Sequence, residues 1–87
     1  MKKFEAKVIV MPSENLPDPE GMAIEKTVSP LYDGLISQIR CGRNFQLTVH
    51  ADDREQADLL LHDICKKFLA NPVTEQYAFT ISELSSR

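Results

Sequence analysis

The sequence predicts an α+β domain of βαββαβ order, a ferredoxin-like two-layer sandwich with two helices on one face of an antiparallel sheet. Three observations predict it. Four short segments have strand character, two between them repeat apolar residues at helical spacing, and the middle two strands are joined by only Gly42-Arg43-Asn44. Residues 1–84 make the single domain of this reading, and 85–87 a frayed tail. Such a fold hosts many activities and decides none of them.

Each element has its own reason. Phe4, Ala6, Val8 and Val10 alternate with Lys3, Glu5, Lys7 and Ile9, which describes a strand half covered by core. Pro12, Ser13, Asn15 and Pro17 then break regular structure. Asp18-Pro19-Glu20 starts a helix: the Asp18 carboxylate can accept a free backbone N–H, and Pro19 at the first position sacrifices no bond. Ile24, Thr27, Val28 and Leu31 share one face of that helix. Pro30 inside it clashes with the carbonyl of Lys26, at a cost of about 3 kcal/mol, so the helix is expected to end or kink near Ser29.

Leu35–Cys41 and Phe45–Ala51 are the expected second and third strands, with Gly42 and Asn44 suited to the positive φ of a tight hairpin. The second helix is capped by Asp52 or Asp53 and carries a stripe of Ala57, Leu60, Leu61, Ile64, Cys65 and Phe68. Its acidic start and Lys66-Lys67 end both complement the helix dipole. Asn71 in a left-handed conformation and Pro72 close it. Tyr77, Phe79 and Ile81 alternate into the last strand. The open sheet face then carries Lys7, Ile9, Ile36, Gln38, Arg40, Gln46, Thr48, His50, Ala78 and Thr80. It is either a solvated face or a polar surface for a second subunit.

Composition narrows the function. An 87-residue chain has little core, and domains of this size often gain stability by oligomerising. A net charge of -3 argues against a phosphate-binding surface, so no nucleic-acid partner is expected. Cys41 and Cys65 suit neither a disulfide framework nor a metal site and read as buried thiols of a reducing cytoplasm. Glu5 and Lys7 interrupt the first apolar stretch, which argues against a signal peptide, and no run reaches membrane-spanning length. A cytoplasmic location is expected.

No self-contained active site emerges. Cys65 on the core stripe and His62 off its edge diverge, as do inward Cys41 and outward His50, so neither makes a Cys–His pair. Carboxylates gather at helix starts, where capping accounts for them. Gly21, Gly34 and Gly42 are scattered and form no phosphate loop. Phe45 is in phase with Leu47 and Val49, so it is not an open-face base-stacking aromatic. No catalytic residue, metal ligand or cofactor is expected on this chain.

Three motifs carry more. Asp18-Pro19-Glu20-Gly21, Arg40-Cys41-Gly42-Arg43 and Leu69-Ala70-Asn71-Pro72 through Glu75 and Tyr77 stand in the order and spacing of the PurS family, which this chain resembles over most of its length. Arg43 replaces a family Lys, keeping charge but changing donor geometry. Ser29-Pro30-Leu31-Tyr32 departs from the family, where the first helix continues to a glycine; Gly34 is the candidate replacement. The resemblance implies the small subunit of phosphoribosylformylglycinamidine synthase in purine biosynthesis. On that implication it is a dimeric or tetrameric connector between a large synthetase subunit and a glutaminase subunit, supporting ammonia transfer in a complex that uses ATP and magnesium. It also implies contact roles. Asp18, Pro19 and Gly21 would shape one surface, Arg40 and Arg43 a second, Asn71 and Pro72 would direct the last strand, and Glu75 would join the interface. A cap, a turn or a helix stop adequately explains Asp18, Pro19, Gly42, Asn71 and Pro72, and explains Arg40, Arg43 and Glu75 less well, which makes those three the better interface candidates. A small ligand-binding regulatory domain of the ACT type has the same βαββαβ order and stands as the alternative, and a free-standing enzyme as a third.

Overall fold

Residues 1–84 are described by the structure, a computed structural model; the expected frayed tail, 85–87, lies outside the described residues. Alternation makes the first strand, β1 (Lys2–Pro12), which buries Phe4, Ala6, Val8 and Val10 on one face. β1 is the central strand. β2 (Arg43–Ala51) pairs with it antiparallel from Lys2↔Ala51 to Val10↔Arg43. On its other side lies β3 (Glu75–Glu83), antiparallel from Phe4↔Glu83 to Pro12↔Glu75. In this register Leu47, Val49, Phe79 and Ile81 fall on the same face as the β1 core residues.

One helix covers that face. α2 (Arg54–Ile64) is capped by Asp53, whose Oδ1 accepts the Gln56 N–H at 2.8 Å. It buries Ala57 and Leu61 completely, and Cys65 follows them into the core. The helix then widens into a single π turn, Cys65–Leu69, closed by the Ala70 N–H donating to the Cys65 carbonyl at 2.9 Å. That widening leaves Phe68 79% exposed and Leu69 half-buried against the core.

α1 (Pro19–Leu31) begins as expected, with Asp18 Oδ1 accepting the Gly21 N–H at 3.2 Å. The α+β, ferredoxin-like class therefore holds, but several elements stand differently from their sequence reading. α1 does not pack on the sheet of its own chain; Gly21 is its only buried residue, and Leu31 is 73% exposed. Nor does it stop at Ser29. It runs to Leu31 with Pro30 in its last turn, so the bond lost to the Lys26 carbonyl disturbs only the end of the helix, and Gly34 closes it at φ +73° by donating to the Ser29 carbonyl.

The expected strand Leu35–Cys41 is absent from the sheet, and no hairpin forms at Gly42-Arg43-Asn44. Its N–H groups are spent elsewhere: Ile39 donates to Glu25 Oε1 at 3.1 Å and Cys41 to Asp18 Oδ2 at 2.6 Å. Gln38, at φ +56°, breaks the extended run. Ile36, Gln38 and Arg40 are thus not open-face residues, whereas Lys7, Ile9, Gln46, Thr48, His50, Ala78 and Thr80 are exposed there. Asn71 is not left-handed either. It ends the helix through an Asx turn, its Oδ1 accepting the Val73 N–H at 2.9 Å.

The result is an elongated body of 52 × 31 × 14 Å with a radius of gyration of 16.9 Å. A compact chain of this length has a radius near 12 Å. Its accessible surface of 6617 Å² likewise exceeds the roughly 5,200 Å² of a compact monomer of this mass.

Candidate functional site

The three sequence motifs meet at one end of the sheet, where β1 ends and β2 and β3 begin. Asp18 lies at the centre of the first contact. Its carboxylate caps α1 at Gly21 and accepts the backbone N–H of Cys41. These hydrogen bonds, that from Cys41 first, hold its carboxyl below the usual range, with the Arg40 charge helping and partial burial opposing. Gly21 belongs to the same contact, because any side chain there would collide with the Ile39 carbonyl. Pro19 occupies the first helical turn and remains exposed.

Arg40 faces the loop after β1. Its Nη2 donates to the Pro12 carbonyl at 2.7 Å and the Ser13 carbonyl at 3.0 Å. Ser13 in turn donates its N–H to the Thr74 carbonyl at 2.8 Å, tying this loop to the segment before β3. Gly42 lies directly against the Val10 carbonyl and the Met11 sulfur, leaving no room for a Cβ.

Arg43 joins the second motif to the third. Its Nη2 contacts both carboxylate oxygens of Glu75 at 2.8 Å and the Leu69 carbonyl at 3.1 Å, and its guanidinium lies 5.7 Å from the centre of the Phe45 ring. Glu75 Oε1 also accepts the Asn71 N–H at 2.7 Å. Pro72 follows in the exposed turn. The geometry thus brings Asp18, Gly21, Arg40, Arg43, Asn71 and Glu75 into one bonded region rather than the two separate surfaces expected from sequence. Most of their polar groups are engaged within the chain.

An apolar groove of about 1050 Å³ runs along α1 and is lined by Pro17, Pro19, Met22, Ala23 and Pro30 among others. Between α2 and β3, His62 Nδ1 lies 2.8 Å from the Tyr77 hydroxyl and Nε2 3.6 Å from Asp58, with the ring edge-on to Phe79. The sequence reading missed this cluster. Its signal was the i, i+4 spacing of Asp58 and His62 beside a strand whose aromatics face the helix. Partial burial, with Cys65 and Asp58 nearby, raises the Tyr77 phenol above its ordinary range, so the hydroxyl stays protonated and acts as a fastener.

Neither thiol is activated. Desolvation, with Glu20 and Asp18 nearby, pushes Cys41 up, and burial pushes Cys65 up. Among the described residues, no three His, Cys, Asp or Glu side chains gather at metal-binding spacing, and no helix is long and apolar enough to cross a membrane.

The family model described as PurS, phosphoribosylformylglycinamidine (FGAM) synthase, matches residues 5–83. The PurS subunit of Bacillus subtilis is 31% identical over 81 residues, covering 93% of this chain and 95% of that protein. Its counterpart from Synechocystis is 35% identical over 82 residues, covering 93% and 81%. Among solved structures, Bacillus subtilis PurS superposes with a TM-score of 0.79 over 92% of this chain and 99% of its own, at 31% identity. A chain in the structure of PurLQS from Thermotoga maritima gives 0.81 at 32% identity, covering 97% and 100%.

Proposed function

Because this chain belongs to the PurS family, we propose that it is the small, non-catalytic subunit of a phosphoribosylformylglycinamidine synthase acting in purine biosynthesis. The observation that carries the reading is the end-to-end match to a chain from a PurLQS complex. Its role is to bridge a synthetase and a glutaminase subunit and to support delivery of glutamine-derived ammonia. ATP and magnesium belong to the chemistry of the other subunits, and the assembly is cytoplasmic. The engagement of Arg40, Arg43 and Glu75 within the chain supports a scaffold that holds its contact surfaces in shape.

We further infer that the working unit is a homodimer. About 1,400 Å² of surface beyond that of a compact monomer matches one partner's share of a large, permanent interface. What lacks cover within one chain is complementary between two. α1 and the segment after it expose Met22, Leu31 and Leu35, while α2 and the π turn after it expose Leu60 and Phe68 beside half-covered Phe45 and Leu47. Among the described residues, no strand pairs with the outer edge of β2 either. The arm formed by residues 19–41 fits over the sheet of a second copy, returning the helix and strand that each chain withholds from its own core.

Reconstitution tests the connector role. This chain is mixed with synthetase and glutaminase subunits from the same source, and amidine formation is measured with glutamine or with free ammonia. The expected result is strong dependence on this chain with glutamine and little with ammonia. Equal rates without it under both conditions would remove the reading.

A further inference from the structure

We propose that the Gly42–Arg43 junction is a lock that holds the arm of residues 19–41 open, so that hinge length and chemistry, rather than surface apolarity alone, decide between a closed monomer and an exchanged dimer. The proposal rests on the homodimer reading above and names the element that enforces it.

The closed alternative is easily written down. Residues 35–41 would fold back beside their own β2 and lay α1 next to α2. The connection would be a two-residue hairpin at Gly42-Arg43, which needs positive φ at Gly42 and takes both residues out of the strand. Three features oppose it. Gly42 does not have positive φ, and it is wedged against the Val10 carbonyl and Met11, so it is already fitted to a chain running straight on from β2. Arg43 is committed to the sheet opposite Val10 on β1, and its side chain is anchored to Glu75 and the Leu69 carbonyl. A residue so anchored would have to leave the strand and give up these bonds to enter a turn.

The arm is also tied together. The Asp18–Cys41 and Glu25–Ile39 hydrogen bonds fasten its extended segment to α1, so closure would carry the helix with it. A short hinge held straight, attached to an arm with apolar faces, is a general route to segment exchange. Lengthening the hinge should remove the barrier and leave every docking surface unchanged.

The test compares three chains by sedimentation equilibrium and circular dichroism. The first is the natural chain, the second carries Asn-Gly inserted after Gly42, and the third, a control, carries Gly-Ser inserted after Asn15 in the other hinge. The natural chain and the control are expected to be dimers at twice the 9.9 kDa chain mass. The Asn-Gly insertion is expected to give a folded monomer, with dimerisation weakened roughly a hundredfold or more. If it fails to fold, the same-length double variant G42N/R43G, which supplies turn chemistry and crowds the Val10 carbonyl, is expected to weaken dimerisation likewise. A folded hinge variant that dimerises as tightly as the natural chain overturns the lock and leaves the dimer standing. Equal weakening by the Asn15 insertion also overturns it. A natural chain that is monomeric at tens of micromolar overturns the dimer reading itself.

Discussion

Asp18 shows how one side chain can join two parts of the chain. Its carboxylate accepts N–H groups from Gly21 and Cys41, 20 residues apart in sequence, and is held below the ordinary carboxylate range by doing so. The sign of the resulting pH dependence follows. The folded form prefers the ionised group, so this stabilisation is complete above the unfolded value of about 3.9 and is lost as pH falls through the lower folded value. Asp18→Asn should therefore lower the thermal midpoint at neutral pH by a few degrees and flatten the acid limb below about pH 4. A variant whose acid limb matches that of the natural chain would detach Asp18 from this role. The cap was legible in Asp18-Pro19, because capping is local. The second bond was not, since nothing in the spacing of residues 18 and 41 announces it.

At the scale of the element, α2 and its π turn have two kinds of apolar residue that look alike in sequence. Leu61 is fully buried, whereas Leu60 is 43% exposed and Phe68 79%. Leu61→Ala should cost about 2–5 kcal/mol in urea unfolding at fixed protein concentration, the range for core truncations that leave a cavity. Phe68→Ser should instead act on association: it should leave the far-ultraviolet spectrum unchanged and weaken dimerisation, measured by dilution in the ultracentrifuge. If Phe68→Ser leaves association unaltered, the second copy's α1 does not cover this stripe. The periodicity that marked the stripe was sound. It reports which residues share one face of the helix, and carries no information about what covers them.

The whole molecule raises the same point more strongly. A radius of gyration of 16.9 Å is far above the roughly 12 Å of a compact chain this long, and the helix meant to share the core lies off it. Stability should then depend on assembly. Raising protein concentration a hundredfold should raise the thermal midpoint by several degrees, because mass action favours the associated folded state. A midpoint independent of concentration would point to a self-sufficient monomer.

What the sequence determined by itself was local and periodic. The β1 alternation, the Asp18 and Asp53 caps, the closure at Gly34 and the α+β class all follow from side-chain chemistry within a few residues. The three motifs also identified the family. Tertiary structure decided where these pieces went. It withheld Leu35–Cys41 from the sheet by giving the Ile39 and Cys41 N–H groups to Glu25 and Asp18. It also drew Arg43 to Glu75 and so joined motifs that sequence spacing kept apart. The physical reason is common to both. Backbone donors and charged side chains accept whichever partner the fold brings within about 3 Å, and that partner is chosen by distance in space, which sequence order does not encode.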